Sequence, residues 1–192
     1  MLVVAALELE AAHVQGFEVL ITGVGKAHAA AVLAKRFADA GTPDLVVNLG
    51  TAGAVATGRR GLFEVGYITQ HDFPYDDLAA LVGPIRRGFA LGPGQPPAEA
   101  DRPDADDVVL ATGDRFVADP DQAAAIAAAG IHLVDMEAYA VAATCAAFSV
   151  PMRCVKAVSD AADSDAVSSW LDGIDACARD LAAWLATAAF AD

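Results

Sequence analysis

Short apolar runs alternate along most of the chain with longer alanine-rich stretches. Runs of apolar and β-branched residues bounded by turn residues predict buried strands, and the alanine-rich stretches predict helices. Strands that alternate with helices are typical of a mainly parallel, twisted sheet covered on both faces. The sequence therefore predicts an α/β fold, in which a single domain spans residues 1–192 and an α/β/α sandwich of three layers surrounds a mixed, mainly parallel sheet.

The apolar runs place the predicted strands at residues 1–6, 17–21, 44–49, 63–69, 107–112, 132–135 and 152–158. Helices are predicted from the glycine-rich turn at 22–26 to about residue 40, from Pro120 with Asp119 as N-cap, and over 136–148 and 166–188. Residues 83–106 are rich in proline, glycine and acidic residues, which predicts a surface loop. Trp170 and Trp184 lie about four turns apart on the last helix, so both are predicted to pack in the core.

The composition limits the classes of function. Of the 192 residues, 56% are hydrophobic, which excludes a disordered chain, and the net charge of −14 argues against binding nucleic acid through its phosphates. No apolar stretch reaches the length of a membrane span and no basic leader precedes the first apolar run, so we expect a soluble, cytoplasmic protein. Cys145, Cys154 and Cys177 form no CxxC pair and have no clustered histidines beside them, which predicts buried free thiols. We expect neither a metal nor a cofactor.

Carboxylates stand where predicted strands end. Residues 133–163 have the pattern strand, helix, strand, with Glu137 after the first strand and Asp160 at the end of the second. Glu10 follows the first strand of the chain, and Phe116 follows another. Because ligands of open α/β sheets bind at the carboxyl ends of the strands, these four side chains are predicted to share one pocket.

Several acids beside an aromatic ring suit acid–base chemistry on a polar molecule with a flat ring. Paired carboxylates are typical of glycosidic cleavage, in which one protonates the leaving group and another activates water. Glycine-rich segments at 22–26 and 50–53 would bring backbone N–H groups close to a ligand, although tight packing of helix on strand explains the glycines equally well.

Six segments, in register along nearly the whole chain, resemble motifs of the nucleoside phosphorylase/nucleosidase superfamily, and specifically of its methylthioadenosine/S-adenosylhomocysteine nucleosidase branch. They are residues 5–10 (the opening strand with its acidic run), 22–26 (SGIGK in the family), 48–53 (NTGSAG), 111–116 (SGDxF), 134–137 (VEME) and 156–160 (RAISD). The resemblance implies a nucleoside phosphorylase-like fold and hydrolysis of the N-glycosidic bond of a purine nucleoside. It also implies a small-molecule nucleoside as the ligand and a homodimer, with no nucleic acid or membrane partner.

The resemblance implies a role for each matching residue. Glu10 would orient and deprotonate the attacking water, and Thr51 stands where the family has a serine that helps to position this water. Asp160, fixed by Ser159, would supply the acid at N7 of the purine. The substrate would otherwise be bound by Phe116 stacked on the base, the backbone of Val117 at the base edge, Met136 and Glu137 at the ribose, and Gly25 and Lys156 within their motifs.

The chain departs from the family pattern in three places. Lys156 replaces an arginine and keeps its charge without the planar guanidinium. Only residues 11–18 remain of the hairpin after the acidic turn, and the segment 70–106 is shortened. In the family these regions help to close the pocket around the 5′ substituent, partly from a neighbouring subunit. A futalosine-like or other purine nucleoside therefore stays open as the substrate.

Two alternative functions also stay open. One is a degenerate member that binds a nucleoside without catalysis, and the other is a phosphate-dependent phosphorylase. Phosphorylases of the superfamily carry an early GDP-x-R segment and an arginine before the second glycine turn, whereas this chain has Asn48 there and no arginine before Arg36. Water is therefore the predicted nucleophile.

Overall fold

The computed structural model describes residues 1–188 as ten strands in one sheet and five helices packed around it. The strands are β1 Leu2–Ala5, β2 Glu18–Ile21, β3 Val46–Ala54, β4 Leu62–Glu64, β5 Tyr67–Gln70, β6 Gly88–Ala90, β7 Ala98–Ala100, β8 Val109–Thr112, β9 Leu133–Asp135 and β10 Met152–Asp160. The helices are α1 Lys26–Ala40, α2 Tyr75–Val82, α3 Pro120–Ala128, α4 Ala138–Ala147 and α5 Ala166–Thr187.

The two long strands β3 and β10 run parallel to each other through the middle of the sheet. On the other side of β3 lies β1, followed by β2, both also parallel. The C-terminal end of β3 pairs with β9 in the antiparallel sense, and β8 and β5 extend the sheet from β9 as parallel neighbours. The antiparallel strands β6, β7 and β4 complete the edges. Five of these nine pairings are parallel, so the predicted mixed, mainly parallel sheet is confirmed.

Side chains point alternately to the two faces of the sheet along β1, and all of them are buried, which explains why helices cover both faces. Leu2 and Val4 point to one face, where they join the core that includes Leu33 of α1 and residues of α4. Val3 points to the other face, into a core with Leu181 of α5. Because a parallel sheet buried on both faces needs apolar residues at consecutive positions, the uninterrupted apolar run of β1 fits this place. The predicted three layers are confirmed.

The region after β3 contains more regular structure than the sequence indicated. The strand predicted over 63–69 is split into β4 and β5 at Val65 and Gly66, because β4 pairs with β10 whereas β5 pairs with β8. The surface loop predicted at 83–106 is wrong in part, since β6 and β7 lie within it. Phe89 of β6 is buried and its ring centroid lies 5.2 Å from that of Tyr139, which anchors this hairpin to α4.

Two predictions about individual side chains have different outcomes. The three cysteines are buried free thiols, as predicted. Trp184 packs against the core under α5, as predicted, but the core position predicted for Trp170 is wrong, because this side chain lines the cavity described below. Among the described residues, no helix combines the length and the apolar character that crossing a membrane requires.

Candidate active site

A cavity of about 250 Å³ opens near the C-terminal ends of β1, β3, β9 and β10. Strand ends converge there because β1, β3 and β10 run in the same direction, so their last residues meet at one edge of the sheet. Its lining includes most of the predicted site residues, namely Glu10, Thr51, Phe116, Val117, Met136, Glu137, Ser159 and Asp160. The structure thus brings together predicted site residues from five segments of the chain.

Glu10 projects into the cavity from the turn after β1 and is held by four donors. Its Oε1 accepts from the backbone N–H of Thr51 at 2.7 Å and from the Thr51 hydroxyl at 2.9 Å. Its Oε2 accepts from the backbone N–H groups of Ala6 and Leu7, both at 3.2 Å. Because all four groups donate to the carboxylate, both of its oxygens are fixed in place. Such a group is oriented to attract a proton from a neighbouring water.

Asp160 is the last residue of β10 and also lines the cavity. Burial raises the pKa of its carboxyl above the ordinary value of 3.8, although hydrogen bonds from the Ala162 backbone N–H and the Ser159 hydroxyl act in the opposite direction. These bonds measure 2.9 Å to Oδ1 and 2.8 Å to Oδ2. Asp160 is therefore fixed in place and more inclined than an exposed aspartate to carry a proton.

Glu137 links two of the motifs found in the sequence. It precedes α4, and its Oε1 accepts from the backbone N–H of Gly25 at 2.9 Å, at the start of α1. Burial, and next the charge of Asp135, raise the pKa of Glu137 from the ordinary 4.5 to about 7, while the charge of Lys156 counteracts this rise. Gly25 thus lies behind the cavity lining and positions Glu137 through its N–H group.

Lys156 lies beneath the cavity and is not part of its lining. Its Nζ lies 2.9 Å from Oδ2 of Asp135, and both side chains are almost fully buried. Burial is the largest single effect and disfavours the charge of Lys156. The negative charge of Asp135, together with smaller contributions from Cys154, Glu10 and Glu137, outweighs this cost and holds the pKa of Lys156 above its ordinary value. Lys156 thus contacts an acidic group below the cavity, and no local pattern in the sequence indicates Asp135 as its partner.

The glycine-rich segment after Leu49 continues β3 as a strand, whereas the sequence indicated that the strand ends before it. A Cβ atom at Gly50 would lie 3.0 Å from Oε1 of Glu10, and one at Gly53 would lie 2.9 Å from Oδ1 of Asp160. Both distances are too short for ordinary packing, so the missing side chains leave room for the two carboxylates. Close approach of side chains to the strand thus explains these glycines.

The remaining wall of the cavity is apolar or aromatic. Phe116 lines the cavity and is 43% exposed, so part of its side chain is open to a flat ligand, and the neighbouring Val117 is buried. Arg115 and Trp170 also line the cavity, and neither was predicted to do so. The indole N–H of Trp170 donates to the hydroxyl of Thr51 at 3.0 Å. Helical spacing alone does not predict that Trp170 lines the cavity, since it places Trp170 and Trp184 on the same face of the last helix.

Asn48 lies in the core and away from the cavity lining. Its Nδ2 donates to the carbonyl oxygen of Val4 at 3.1 Å, and its Oδ1 accepts from Sγ of Cys154 at 3.5 Å. These contacts tie the neighbouring strands β1, β3 and β10 together. Of the residues that line the cavity in the described part of the chain, Arg115 is the only cationic one.

The comparisons with known proteins agree with the geometry. The model of the phosphorylase superfamily matches residues 12–189. The 5′-methylthioadenosine/S-adenosylhomocysteine nucleosidase of Exiguobacterium sp. is 32% identical over 170 residues, which cover 77% of this chain and 69% of the relative.

Two solved structures share the fold. A Helicobacter pylori MTAN mutant with 5′-methylthioadenosine in its active site superposes with a TM-score of 0.79 at 19% identity, covering 97% of this chain and 96% of the other. The futalosine hydrolase of Helicobacter pylori, in a mutant form, gives a TM-score of 0.77 at 20% identity, covering 96% of each chain. The predicted nucleoside phosphorylase-like fold is confirmed by these likenesses.

Proposed function

The chain belongs to the phosphorylase superfamily, and we propose that it is an enzyme that hydrolyses the N-glycosidic bond of a purine nucleoside and releases the free base and the ribose moiety. The observation that carries this proposal is the convergence of Glu10, Glu137 and Asp160 with Phe116 around one cavity. Three fixed acids beside an open aromatic face provide the acid, the base and the ring platform that this reaction requires. The similarity to a nucleosidase over most of the chain supports the same activity.

In the proposed reaction a water oxygen bonds to C1′ of the ribose as the bond from C1′ to N9 breaks. Glu10 takes a proton from the water, and the electron pair of the broken bond goes to the base. Asp160 donates a proton to N7, so the base leaves as a neutral molecule. The transition state resembles an oxocarbenium ion, and the negative charge of the nearby carboxylates stabilises it.

The other residues bind and orient the substrate in this proposal. Glu137 binds the ribose hydroxyls and Met136 packs against the ribose. Phe116 stacks on the base, and the backbone of Val117 contacts its edge. The raised pKa of Asp160, which burial causes, supports its role as the proton donor.

Gly25 and Lys156 act indirectly in this proposal. Gly25 holds Glu137 by the 2.9 Å hydrogen bond from its N–H group. Lys156 holds Asp135 and balances the charge beneath the site, so neither residue touches the substrate.

Water is preferred over phosphate as the nucleophile. A phosphate ion needs cationic side chains or free N–H groups beside the ribose, and four donors near that place are already committed to Glu10. Asn48, at the position of the phosphorylase arginine, bonds to neighbouring strands instead.

A 5′-methylthioadenosine or S-adenosylhomocysteine type of nucleoside is the first candidate substrate, because the Exiguobacterium relative is named for both. A futalosine-like nucleoside is the second, since the fold is shared equally with a futalosine hydrolase.

The test of this proposal is base release from methylthioadenosine, S-adenosylhomocysteine, adenosine, inosine and futalosine, with and without phosphate. Release without phosphate would establish the hydrolase, and the ranking would identify the 5′ group. Release that requires phosphate would place the protein among the phosphorylases. Absence of release together with retained binding would favour a degenerate nucleoside-binding protein.

Glu10→Gln separates catalysis from binding. We expect this variant to lose turnover and to keep its affinity for the nucleoside, because the amide cannot accept the proton. Glu8→Gln is the matched control, since Glu8 is an exposed acid in the same turn. Equal turnover in the two variants would remove Glu10 from the mechanism.

A homodimer and a cytoplasmic location complete the proposal. Three large apolar side chains, in addition to Phe116, are exposed on segments that also line the cavity, namely Leu9, Val24 and Leu171, and a second subunit would cover them. The free thiols fit a reducing compartment. Light scattering would contradict the dimer if it gave the mass of one subunit at assay concentration.

A further inference from the structure

Trp170 links the last helix to the side chain of Glu10 through the hydroxyl of Thr51. It lies on the second turn of α5, its ring lines the cavity, and its Nε1 donates to Oγ1 of Thr51 at 3.0 Å. The same hydroxyl lies 2.9 Å from Oε1 of Glu10. The three groups therefore form a chain of two consecutive hydrogen bonds that ends on the proposed base.

The chemistry of the three groups fixes the direction of this chain. An indole N–H only donates, and a threonine hydroxyl carries one proton. Because Thr51 accepts from Trp170, its hydroxyl proton is free to point at Glu10, which accepts it. Without the indole N–H, the hydroxyl has no fixed donor and is able to rotate towards water. Oε1 of Glu10 would then keep only the backbone N–H of Thr51 as a constant donor.

We propose that Trp170 is a positioning residue for hydrolysis, which holds the Thr51 hydroxyl as a donor to Glu10 and thereby fixes the carboxylate that activates water. The inference rests on the proposed role of Glu10 as the base. It assigns to Trp170 an effect on the rate of the chemical step rather than on the affinity for the nucleoside. The aromatic ring itself contributes to the wall of the cavity, which a phenylalanine would preserve.

The first experiment tests the hydrogen bond without reference to activity. The indole N–H resonances of ¹⁵N-labelled protein are assigned with Trp184→Phe, and the Trp170 resonance is then followed in Thr51→Val. We expect Thr51→Val to shift the Trp170 resonance upfield and to speed its exchange with solvent, because the acceptor is lost. An unchanged resonance would overturn the inference even if the enzyme hydrolyses nucleosides.

The second experiment measures kcat and KM of Trp170→Phe, Thr51→Val and the double variant with the nucleoside that the wild type cleaves. We expect each single variant to lower kcat about tenfold with KM changed less than twofold, since one hydrogen bond is lost. The double variant should be no slower than the slower single variant, because both changes break the same chain. Asp172→Asn, at an exposed position of α5 that does not line the cavity, should leave both constants unchanged.

The outcomes separate this inference from the proposed function. Effects that multiply in the double variant, or an unchanged kcat in Trp170→Phe, would overturn the positioning role while leaving the hydrolase intact. A wild type that releases no base from any nucleoside would overturn the proposed function, and with it the role of Trp170 in hydrolysis, whatever the NMR result.

Discussion

Nζ of Lys156 lies 2.9 Å from Oδ2 of Asp135 in a place where the two side chains are only 2% and 1% exposed. Asp135 also accepts from the hydroxyl of Thr112 at 2.6 Å and from the backbone N–H of Ala138 at 3.0 Å. The two motifs that resemble VEME and RAISD differ from them at these two positions, where aspartate replaces glutamate and lysine replaces arginine. Both members of the buried pair thus differ from the motifs that they resemble, and both keep the charge of the motif residue.

Lys156→Met should strongly destabilise the protein, because it leaves the carboxylate of Asp135 buried without its counter-charge. We expect the free energy of unfolding in urea to fall by about 3–5 kcal/mol. The double variant Lys156→Met/Asp135→Leu should recover a large part of this loss, since no unpaired charge remains.

Lys35→Met is the matched control for this prediction. Lys35 pairs with Asp39 on the exposed face of α1, where breaking an ion pair costs about 0.5 kcal/mol or less. Losses of equal size in Lys156→Met and Lys35→Met would contradict the importance of the buried pair.

Glu137→Gln should change the pH dependence of stability. Burial raises the pKa of Glu137 from 4.5 to about 7, so the folded protein binds the proton more tightly than the unfolded chain does. The contribution of Glu137 to stability is therefore fully present below pH 4.5 and is lost as the pH rises to about 7.

The measurement is urea unfolding of the wild type and of Glu137→Gln between pH 4 and pH 8. We expect the wild type to lose about 3 kcal/mol relative to the variant across this range, because the pKa of Glu137 rises from 4.5 to about 7 on folding. Glu8→Gln, an exposed change of the same kind, should follow the wild type. A difference between wild type and Glu137→Gln that does not vary with pH would contradict the prediction.

Asp160→Asn should lower kcat by at least about 100-fold, because the amide cannot supply the proton to the base. In the wild type, activity should decline on the alkaline side as Asp160 loses its proton, at a pH above its ordinary pKa of 3.8 because burial raises this pKa. The measurement is the pH profile of kcat for the two proteins. Asp165→Asn, an exposed change just before α5, should retain the wild-type profile.

Gly53→Ala should impair catalysis more than stability. The new methyl group would lie 2.9 Å from Oδ1 of Asp160 and 3.3 Å from Cγ2 of Val134, so the carboxyl of Asp160 must move. A displaced catalytic group costs roughly 10- to 100-fold in rate, which steady-state assays would detect.

Gly173→Ala provides the contrast on α5. Its new methyl group would lie 3.7 Å from the carbonyl oxygen of Ser159, which is an ordinary contact. We expect kcat to stay unchanged and the free energy of unfolding to rise by about 0.5–1 kcal/mol, because alanine favours the helix. A loss of activity equal to that of Gly53→Ala would show that the Gly53 result does not depend on Asp160.

The sequence predicted those features of the fold that depend on local pattern. The apolar run of β1 and the cap of α3 are examples, since the Asp119 carboxylate accepts from the backbone N–H of Asp121 at 2.9 Å, as the spacing of Asp119 and Pro120 predicts. The hairpin of β6 and β7 was missed because it depends on one buried residue, Phe89, whose contact with Tyr139 lies 50 positions away in the chain.

The cavity shows the same contrast. Local sequence pattern predicts some of its residues, and contacts between distant segments determine the others. The position of acids at strand ends indicated Glu10, Glu137 and Asp160, because ligands of open α/β sheets bind at the carboxyl ends of strands. Glu10 follows and Asp160 ends a strand parallel to β3, whereas Glu137 follows β9, which is antiparallel to β3 and pairs only with its C-terminal end. The resemblance implies Ser159 as the neighbour that fixes Asp160, but the distant partners of these acids are not predictable from local pattern. Two contacts depend on how separate elements pack. One is the ion pair of Lys156 with Asp135, and the other is the hydrogen bond from the Trp170 indole to Thr51.

Each of two acids in the cavity is held by a donor from a remote part of the chain. Glu10 is 41 positions from Thr51, and Glu137 is 112 positions from Gly25. The constellation therefore exists only once the whole central sheet has assembled, and neither half of the chain contains it alone. Recovery of base release during refolding should consequently coincide with the slowest structural phase, which makes the activity itself a probe for completion of the fold.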